Sequence, residues 1–407
     1  MGIFLRTLRP KALNSEELYR LIGSTYGSGS TSSGISVTSE TAMRLMTVHN
    51  CVKVLYNCIS QMPCQLMEEV GGIKSKATDH YLYRKLSKRP NRWMTAPEFW
   101  GMAIAHVSLR GNFYAFKVRL PGRDIKEIIP LAPDRVREVI QNDDYSLTYK
   151  IISTPGGTET KDYSQDQIMH LRGLVMDGYM GINPIQYARE SVGLGLASEK
   201  FLGRYFDKGM HPGAIITHPQ PLSMAAFANR RDTLKERYEG LGKSWEFMLL
   251  DEAMGITFPP IKLVDAQFLE LGKFNEAQIC GMFGVPLMMV QAGDNPTTYA
   301  SATEFKRTFV DLVLAPIAVN FESGIDRDCL SDEEQSRYYT KFNVNSLLRG
   351  NIVERYGAYA VGIDKEILNP NECRNLEDMN PYEGGDIYKT RTSTTKDTTK
   401  TNEGERQ

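Results

Sequence analysis

Apolar positions along the chain switch between helical and strand spacing, and the switches fall at glycine, proline and aspartate. In "ETAMRLMTVHNCVKVLYNCISQMP", Met43, Met46, Val52, Leu55 and Ile59 recur at helical spacing, and Pro63 ends the run. "TAPEFWGMAIAHVSL" predicts a second helix, with Thr95 and Glu98 at capping-box spacing and Arg110-Gly111-Asn112 as its stop. "FYAFKVRL", "IKEIIPLAP", "RVREVI", "LTYKII" and "QIMHLRG" read as short strands. "NPIQYARESVGLGLASEKFLGRYFDKG" then carries helix signals at both ends: Asn183 as cap, Pro184 in the first turn, Gly209 at the left-handed C-terminal position. At about 1.5 Å per residue it would be roughly 40 Å long.

A β-α-β-β pattern follows in "GAIITHP", "SMAAFANRRDTLKERYEGL", "WEFMLLD" and "ITFPPIKLV". In "DAQFLELGKFNEAQICGMFGVP", Phe268, Leu271, Phe274, Ile279 and Phe283 interleave with Glu270, Lys273, Glu276 and Gln278, which predicts a two-faced helix capped by Asp265 and ended by Pro286. Beyond the polar loop "QAGDNPTTY", Ser301 and Glu304 form another capping box, and the helix "ATEFKRTFVDLVLAPIAVNFESGI" runs through Pro316, where a kink is expected. A pair of strands around "RYYTKFNV" and a helix in "NSLLRGNIVERYGAYAVG" complete an α+β chain. "STYGSGSTSSGISVTSE" predicts a flexible lead-in and "KTRTSTTKDTTKTNEGERQ" a disordered tail.

The 407 residues allow a large core, and 41% hydrophobic with 24% charged residues is ordinary for a soluble globular protein. No uninterrupted apolar stretch reads as long enough to cross a bilayer. The N-terminal "MGIFLR" is too brief for a signal peptide, and Arg6 breaks the myristoylation pattern. Six scattered cysteines without a C-x-x-C pair suit a reducing cytoplasm, and Cys51 and Cys58, on one helix face, read as small buried residues. A formal net charge of −1 does not mark the whole chain as a tight nucleic-acid binder.

Motifs for chemistry fail on inspection. "EGLGKS" lacks the first glycine of a phosphate loop, Arg237 standing there, and it joins a helix to a strand in the wrong order. "GLGLAS" lies inside the long helix, where small residues serve close packing. His211 and His218 flank a strand without other ligands, while His49, His106 and His170 sit inside elements as core or surface histidines. Asp143-Asp144 and Glu333-Glu334 fall in turns as solvated acids, and no G-x-S-x-G is present. No catalytic residue, metal ligand or cofactor is expected.

Four blocks together carry a resemblance: "RPNRWMTAPEFWGMAIAHVSLRGNFYAFKVR", "GYMGINPIQYARESVGLGLASEKFLGRYFDKGMHPGAIITHP", "DAQFLELGKFNEAQICGMFGVPLMMV" and "NPNECRNLEDMNPYEGGD". In that order and spacing, over roughly residues 40 to 388, the chain resembles the HK97-type portal proteins of tailed bacteriophages. The resemblance implies a ring, commonly of twelve subunits, at one capsid vertex of the virion, with double-stranded DNA passing through its channel. It implies as partners the terminase large subunit, later a head–tail adaptor, and the major capsid protein, with assembly in the host cytoplasm and no membrane. It also implies a portal fold with wing, two-helix stem, clip, tunnel loop with a kinked helix, and crown.

By order of elements, residues 1–40 are a flexible segment, 41–183 the first part of the wing, 184–210 and 266–286 the stem helices, and 211–265 the β-α-β-β clip. Residues 287–302 are the tunnel loop, 303–344 the kinked helix and wing return, 345–388 a small helical crown, and 389–407 a disordered tail. Gln291, Asp294, Asn295, Thr297, Thr298 and Tyr299 would then face DNA with weak hydrogen-bonding groups. From local sequence alone the same loop reads as an ordinary helix–helix connector. Lys306 and Arg307 are candidates for phosphate or subunit contacts, and Pro316 for the bend that lets the helix follow the ring. Trp245, Phe247 and Tyr205 are candidate clip and stem anchors between subunits, or core. Two other classes stay open: a virion structural protein without a channel, and a packaging nuclease or ATPase subunit, which the defective phosphate loop opposes.

Overall fold

The structure, a computed structural model, describes residues 31–119, 124–154, 157–208, 215–217, 224, 255–257, 265–290, 299–348, 352–377 and 379–388. Its contacts divide the chain into two compact units, Met1–Leu347 and Leu348–Gln407. Residues 31–40, expected to be flexible, are ordered: Thr31 is buried, and the Ser32 amide and hydroxyl donate to Glu190 at 3.1 and 2.5 Å. Gly193 makes this approach feasible, because a Cβ there would lie 2.7 Å from Thr31. The helix expected next is broken into a short turn, Ser39–Ala42, and α1, Met46–Ser60, with extended Leu45 buried between them. Val48, Val52, Leu55 and Ile59 of α1 form one buried face.

That face belongs to the same core as α2, Ala96–Arg110. The α2 capping box forms as its spacing predicts, Glu98 accepting from the Thr95 amide at 2.8 Å. Its other end requires glycine: Gly111 has φ +78°, and a Cβ would sit 1.9 Å from the Ile182 carbonyl oxygen. An edge-to-face aromatic chain then ties α2 to strands on either side, Phe113–Phe99, Phe99–Trp100 and Trp100–Phe342, with centroids 5.3, 5.0 and 5.3 Å apart.

The strands are β1 Cys64–Val70, β2 Ile73–Lys76, β3 Asn112–Arg119, β4 Ile125–Leu131, β5 Val136–Gln141, β6 Leu147–Ile152, β7 Thr160–Ser164, β8 Ile168–Arg172, β9 Ile215–Thr217, β10 Gly255–Thr257 and β11 Tyr338–Phe342. They form antiparallel sheets ordered β11-β1-β2, β4-β3-β8 and β5-β6-β7, with β10 pairing β9. Where two strands were expected around "RYYTKFNV" there is one, β11. The sequence reading has no counterpart for β1, β2 and β7. β2 is wholly exposed, β7 nearly so and β1 exposed at its acidic end, so none offers clear apolar alternation.

The long helix expected from Pro184 is interrupted. Asn183 caps a short helix, Pro184–Tyr187, and α3, Arg189–Lys208, starts beyond Ala188, which leaves helical geometry. Downstream, α4 is Asp265–Phe283, α5 is Tyr299–Phe309, a π-helical turn spans Val310–Leu314, and α6 is Ala315–Cys329. Asp265 is itself the first residue of α4, and Phe274, expected on the apolar face, is 61% exposed. The buried stripe is Asn275, Ile279, Cys280 and Phe283. Glu304–Cys329 is long and apolar enough, by length and composition, to cross a membrane, although charged residues such as Lys306, Arg307, Asp311 and Glu322 interrupt it. Val310, Leu314, Ala318, Phe321 and Ile325 of this span lie in the core.

Carboxylates of α6 hold two sheet edges. Glu322 accepts from the Phe342 amide at 2.7 Å and from Lys341 at 3.1 Å, and Asp326 from the Thr340 amide at 2.8 Å, all on β11. Asp328 accepts from the His170 amide of β8 at 2.8 Å, while Arg327 donates to the His170 carbonyl at 2.8 Å. The buried Lys117 ammonium donates to the Asp328 carbonyl. His170 is satisfied as a neutral ring: Nε2 donates to Asn112 Oδ1 at 2.9 Å, leaving Nδ1 to accept from the Tyr149 hydroxyl at 3.2 Å.

The second unit contains α7, Ile352–Asp364, and α8, Pro370–Leu376, where one helix over "NSLLRGNIVERYGAYAVG" was expected to begin earlier; Val344–Leu348 is a 3-10 turn instead. Asn369 and Glu372 make a reciprocal cap on α8, each accepting from the other's amide at 2.8 Å. Arg355 of α7 pairs with Glu377 at 2.8 Å.

Two outcomes follow. Gly111→Ala, forced against a carbonyl at positive φ, should cost about 3 kcal/mol or more, read as a lowered melting temperature or loss of soluble protein. Burial also holds His106 down from 6.5 to about 4, with Arg110 pushing the same way, and burial holds His170 well below its ordinary range. The unfolded chain therefore binds these protons first, so stability present above pH 6.5 should be lost as pH falls. His106 alone should contribute a loss on the order of 3 kcal/mol by pH 4. Melting curves of His106→Leu should show a shallower decline between pH 6.5 and 4.

Candidate nucleic-acid interface

The segment that the sequence marks for DNA begins where α4 ends. Gly284, at φ +67°, turns the chain, and the Pro286 carbonyl accepts from the Met289 amide at 2.9 Å, opening a new helical turn. A Cβ on Gly284 would lie 3.2 Å from the Val313 side chain, so this turn sits directly against the π-turn that precedes α6. Leu287–Val290 forms one further helical turn, and Met289 and Val290 pack on the core cluster that contains α1. Met289 thus serves adaptable packing.

Gln291, Asp294, Asn295, Thr297 and Thr298 lie outside the described residues, as do Trp245 and Phe247. Tyr299 opens α5, and Tyr205 lies within α3, with neither side chain described. Ser301 therefore falls inside α5 rather than capping it: the helix starts two residues before the predicted box.

From Glu304 to Thr308 the helix is exposed, and at Phe309 it enters the core with Val310 and Leu314. Lys306 is exposed, and its ammonium acts on Cys58 of α1, whose thiol is pushed up by burial and pulled down by this charge. Arg307 lies 3.7 Å from Asp311 one turn on, both more than half exposed. Such an exposed i,i+4 pair is worth about 0.3–0.5 kcal/mol. The two acids Glu304 and Asp311 thus balance the two bases Lys306 and Arg307 on this stretch.

Pro316 lies in the first turn of α6. Without an N–H, and with its ring against the carbonyl four residues back, it cannot continue a regular ladder from Leu312. The chain answers with the π-turn, in which the Ala315 amide donates to the Val310 carbonyl, five residues back. The sequence reading found the proline but not the wide turn; its signal is Pro316 placed inside an otherwise unbroken apolar helix pattern. Leu312 and Val319, at 71% and 53% exposure, are the apolar side chains that this geometry leaves outside.

Comparison with known proteins bears on the whole arrangement. A family model described as phage portal protein matches residues 46–378. The chain is 26% identical over 358 residues to the portal protein of Enterobacteria phage HK97, spanning 86% of this chain and 82% of that one. It is 25% identical over 360 residues to the probable portal protein of Streptomyces phage phiC31, spanning 87% and 78%. In fold it is similar to the crystal structure of an HK97 family phage portal protein from Corynebacterium diphtheriae, at TM-score 0.56 and 12% identity over 76% of this chain and 96% of that one. A chain in the virion of a native gene transfer agent particle gives TM-score 0.55 at 19% identity, over 90% and 99%. The chain belongs to the phage portal protein family, whose members assemble as rings in the particle and form the channel through which double-stranded DNA is packaged and ejected.

Proposed function

We propose that twelve copies of this chain close the ring, with residues 287–302 as the tunnel loop that touches DNA and 184–210 with 266–286 as the stem. Residues 211–265 are the clip, 41–183 with 303–344 the wing, and 345–388 a small crown. The clip end receives the terminase large subunit during packaging and a head–tail adaptor afterwards, the rim meets the major capsid protein, and assembly takes place in the host cytoplasm. Family members are structural proteins, and the energy for packaging comes from the terminase.

The observation that carries the loop assignment is the way its two ends are fastened. Gly284 and Val313 touch, Val290 packs on the core, and Phe309 and Val310 are buried, while Glu304 to Thr308 stand in solvent. The segments on either side of the loop are thus anchored in the core, and with Asp311 the exposed base carries no net charge. A channel has to touch a charged polymer without holding it. Each phosphate neutralised by Lys or Arg adds affinity that must be broken as DNA advances. Asp294, Asn295, Thr297 and Thr298 make only weak hydrogen bonds to a backbone.

Negative-stain images down the particle axis should show closed rings with a hole of about 20 Å or more, wide enough for a duplex. Filaments or shells without a hole would favour a virion protein that is not a channel. Deleting Gly293 to Thr298 should leave rings intact and impair packaging or DNA retention. Normal packaging and retention by that deletion would remove the loop assignment.

A further inference from the structure

A second charged surface lies away from the loop. Between residues 84 and 92 the sequence "RKLSKRPNR" places five cations, Arg84, Lys85, Lys88, Arg89 and Arg92, in a chain whose net charge is −1. Four of them, with Glu127, line a cleft of ≈ 500 Å³. Glu127 pairs with Arg92 at 2.8 Å. Among the described residues, no carboxylate pairs with Arg84, Lys85, Lys88 or Arg89.

The backbone beneath these cations is fixed. Leu82 and Leu86 are fully buried, and the Trp100 indole donates to the Leu86 carbonyl at 3.1 Å. Asn91, itself buried, donates to the Ile128 carbonyl at 3.1 Å and accepts from the amides of Trp93 and Met94 at 3.2 and 2.9 Å. The Ile128 amide donates to the Pro90 carbonyl at 2.8 Å. Holding like charges together on a rigid turn works against stability, and of the five cations only Arg92 has a carboxylate partner among the described residues.

We propose that this cleft is a contact for the phosphate backbone of duplex DNA, separate from the channel loop; the assignment rests on the reading of the protein as a DNA channel. The guanidinium forks of Arg84 and Arg89 suit phosphate oxygens bidentately, and the ammonium groups act as point charges beside them. Repetition around a ring would present the cleft many times to one long polyanion, which a short acidic peptide cannot exploit. Tyr81 lines both this cleft and a neighbouring one that contains Asp332 and Glu333, so the DNA path is bounded on that side by like charge.

The test is the anisotropy of a fluorescent 30-base-pair duplex (about three helical turns) titrated with the full chain between 50 and 200 mM salt. With about 0.9 of log-log slope per phosphate, three contacts predict that affinity falls roughly 40-fold across this range. The variant Arg84→Gln/Lys85→Gln/Arg89→Gln, which removes the unpaired cations lining the cleft, should make the slope shallower by about 2 to 3, whatever the duplex sequence. The exposed pair Asp332→Asn/Glu333→Gln should tighten binding at every salt concentration. No duplex binding by the unaltered chain, or an unchanged slope in a triple variant that melts normally, overturns the proposal. So does weaker duplex binding in the acidic-pair variant together with stronger competition by a polyglutamate peptide, which would assign the cleft to an acidic protein partner. If the slope is unchanged while the variant still forms rings with an axial hole, this surface fails and the channel reading stands.

Discussion

The fold depends on how one helix uses its carboxylates. β11 and β8 are edge strands of different sheets, and an edge strand presents unpaired amides that invite a foreign strand. Glu322 and Asp326 meet the amides of β11, and Asp328 that of β8, so α6 closes both edges from its polar side. Its apolar side, with Phe321 and Ile325, lies in the common core. Buried acids are costly unless their lone pairs are used. Asp326 shows the cost in its raised pKa, which burial causes and the Thr340 bonds partly offset.

Fixing α6 in this way transfers precision to the segment before it. A regular helix through Pro316 would have lost its hydrogen bond to Leu312; the π-turn supplies the five-residue bond and keeps Val310 and Leu314 in the core. A π-turn places one more residue in the turn than an α-helix does, so it resets the face on which the preceding side chains emerge. Glu304 to Thr308 are exposed on the far side of that reset. The face that α5 presents from Glu304 to Thr308 thereby depends on carboxylates about twenty residues downstream.

Much of this was legible in the sequence where a signal has a local cause. Thr95 and Glu98 cap α2, Gly111 stops it and Asn183 caps where expected, because each solves a problem set by its immediate neighbours. What escaped depends on distant partners. β2 is a strand because β1 is beside it, not because of its own four exposed residues. Thr31 and Ser32 look like linker composition, yet they are ordered by Glu190 and the absence of a side chain at Gly193. Phe274 fits an apolar stripe by spacing, but the core takes Asn275 instead, an exchange that helical periodicity cannot foresee. Asp294 to Thr298 carry no catalytic group, and a role for them is proposed only through the resemblance of the four family blocks.

Charge placement then separates two demands made on one chain. At the base of the loop Arg307 is paired with Asp311, and Glu304 offsets Lys306 in formal charge, which on the proposed reading leaves little net attraction for a moving polyanion. Attraction there would multiply around the ring, since every copy adds the same contacts to the same length of DNA. On the same reading a surface outside the moving path is under no such limit, and the turn from Arg84 to Arg92 concentrates cations on a fixed backbone. An overall charge near zero therefore says little about DNA handling in this chain. The informative quantity is where unbalanced charge is held in place by buried groups such as Asn91 and Leu86, and where it is cancelled one helical turn away.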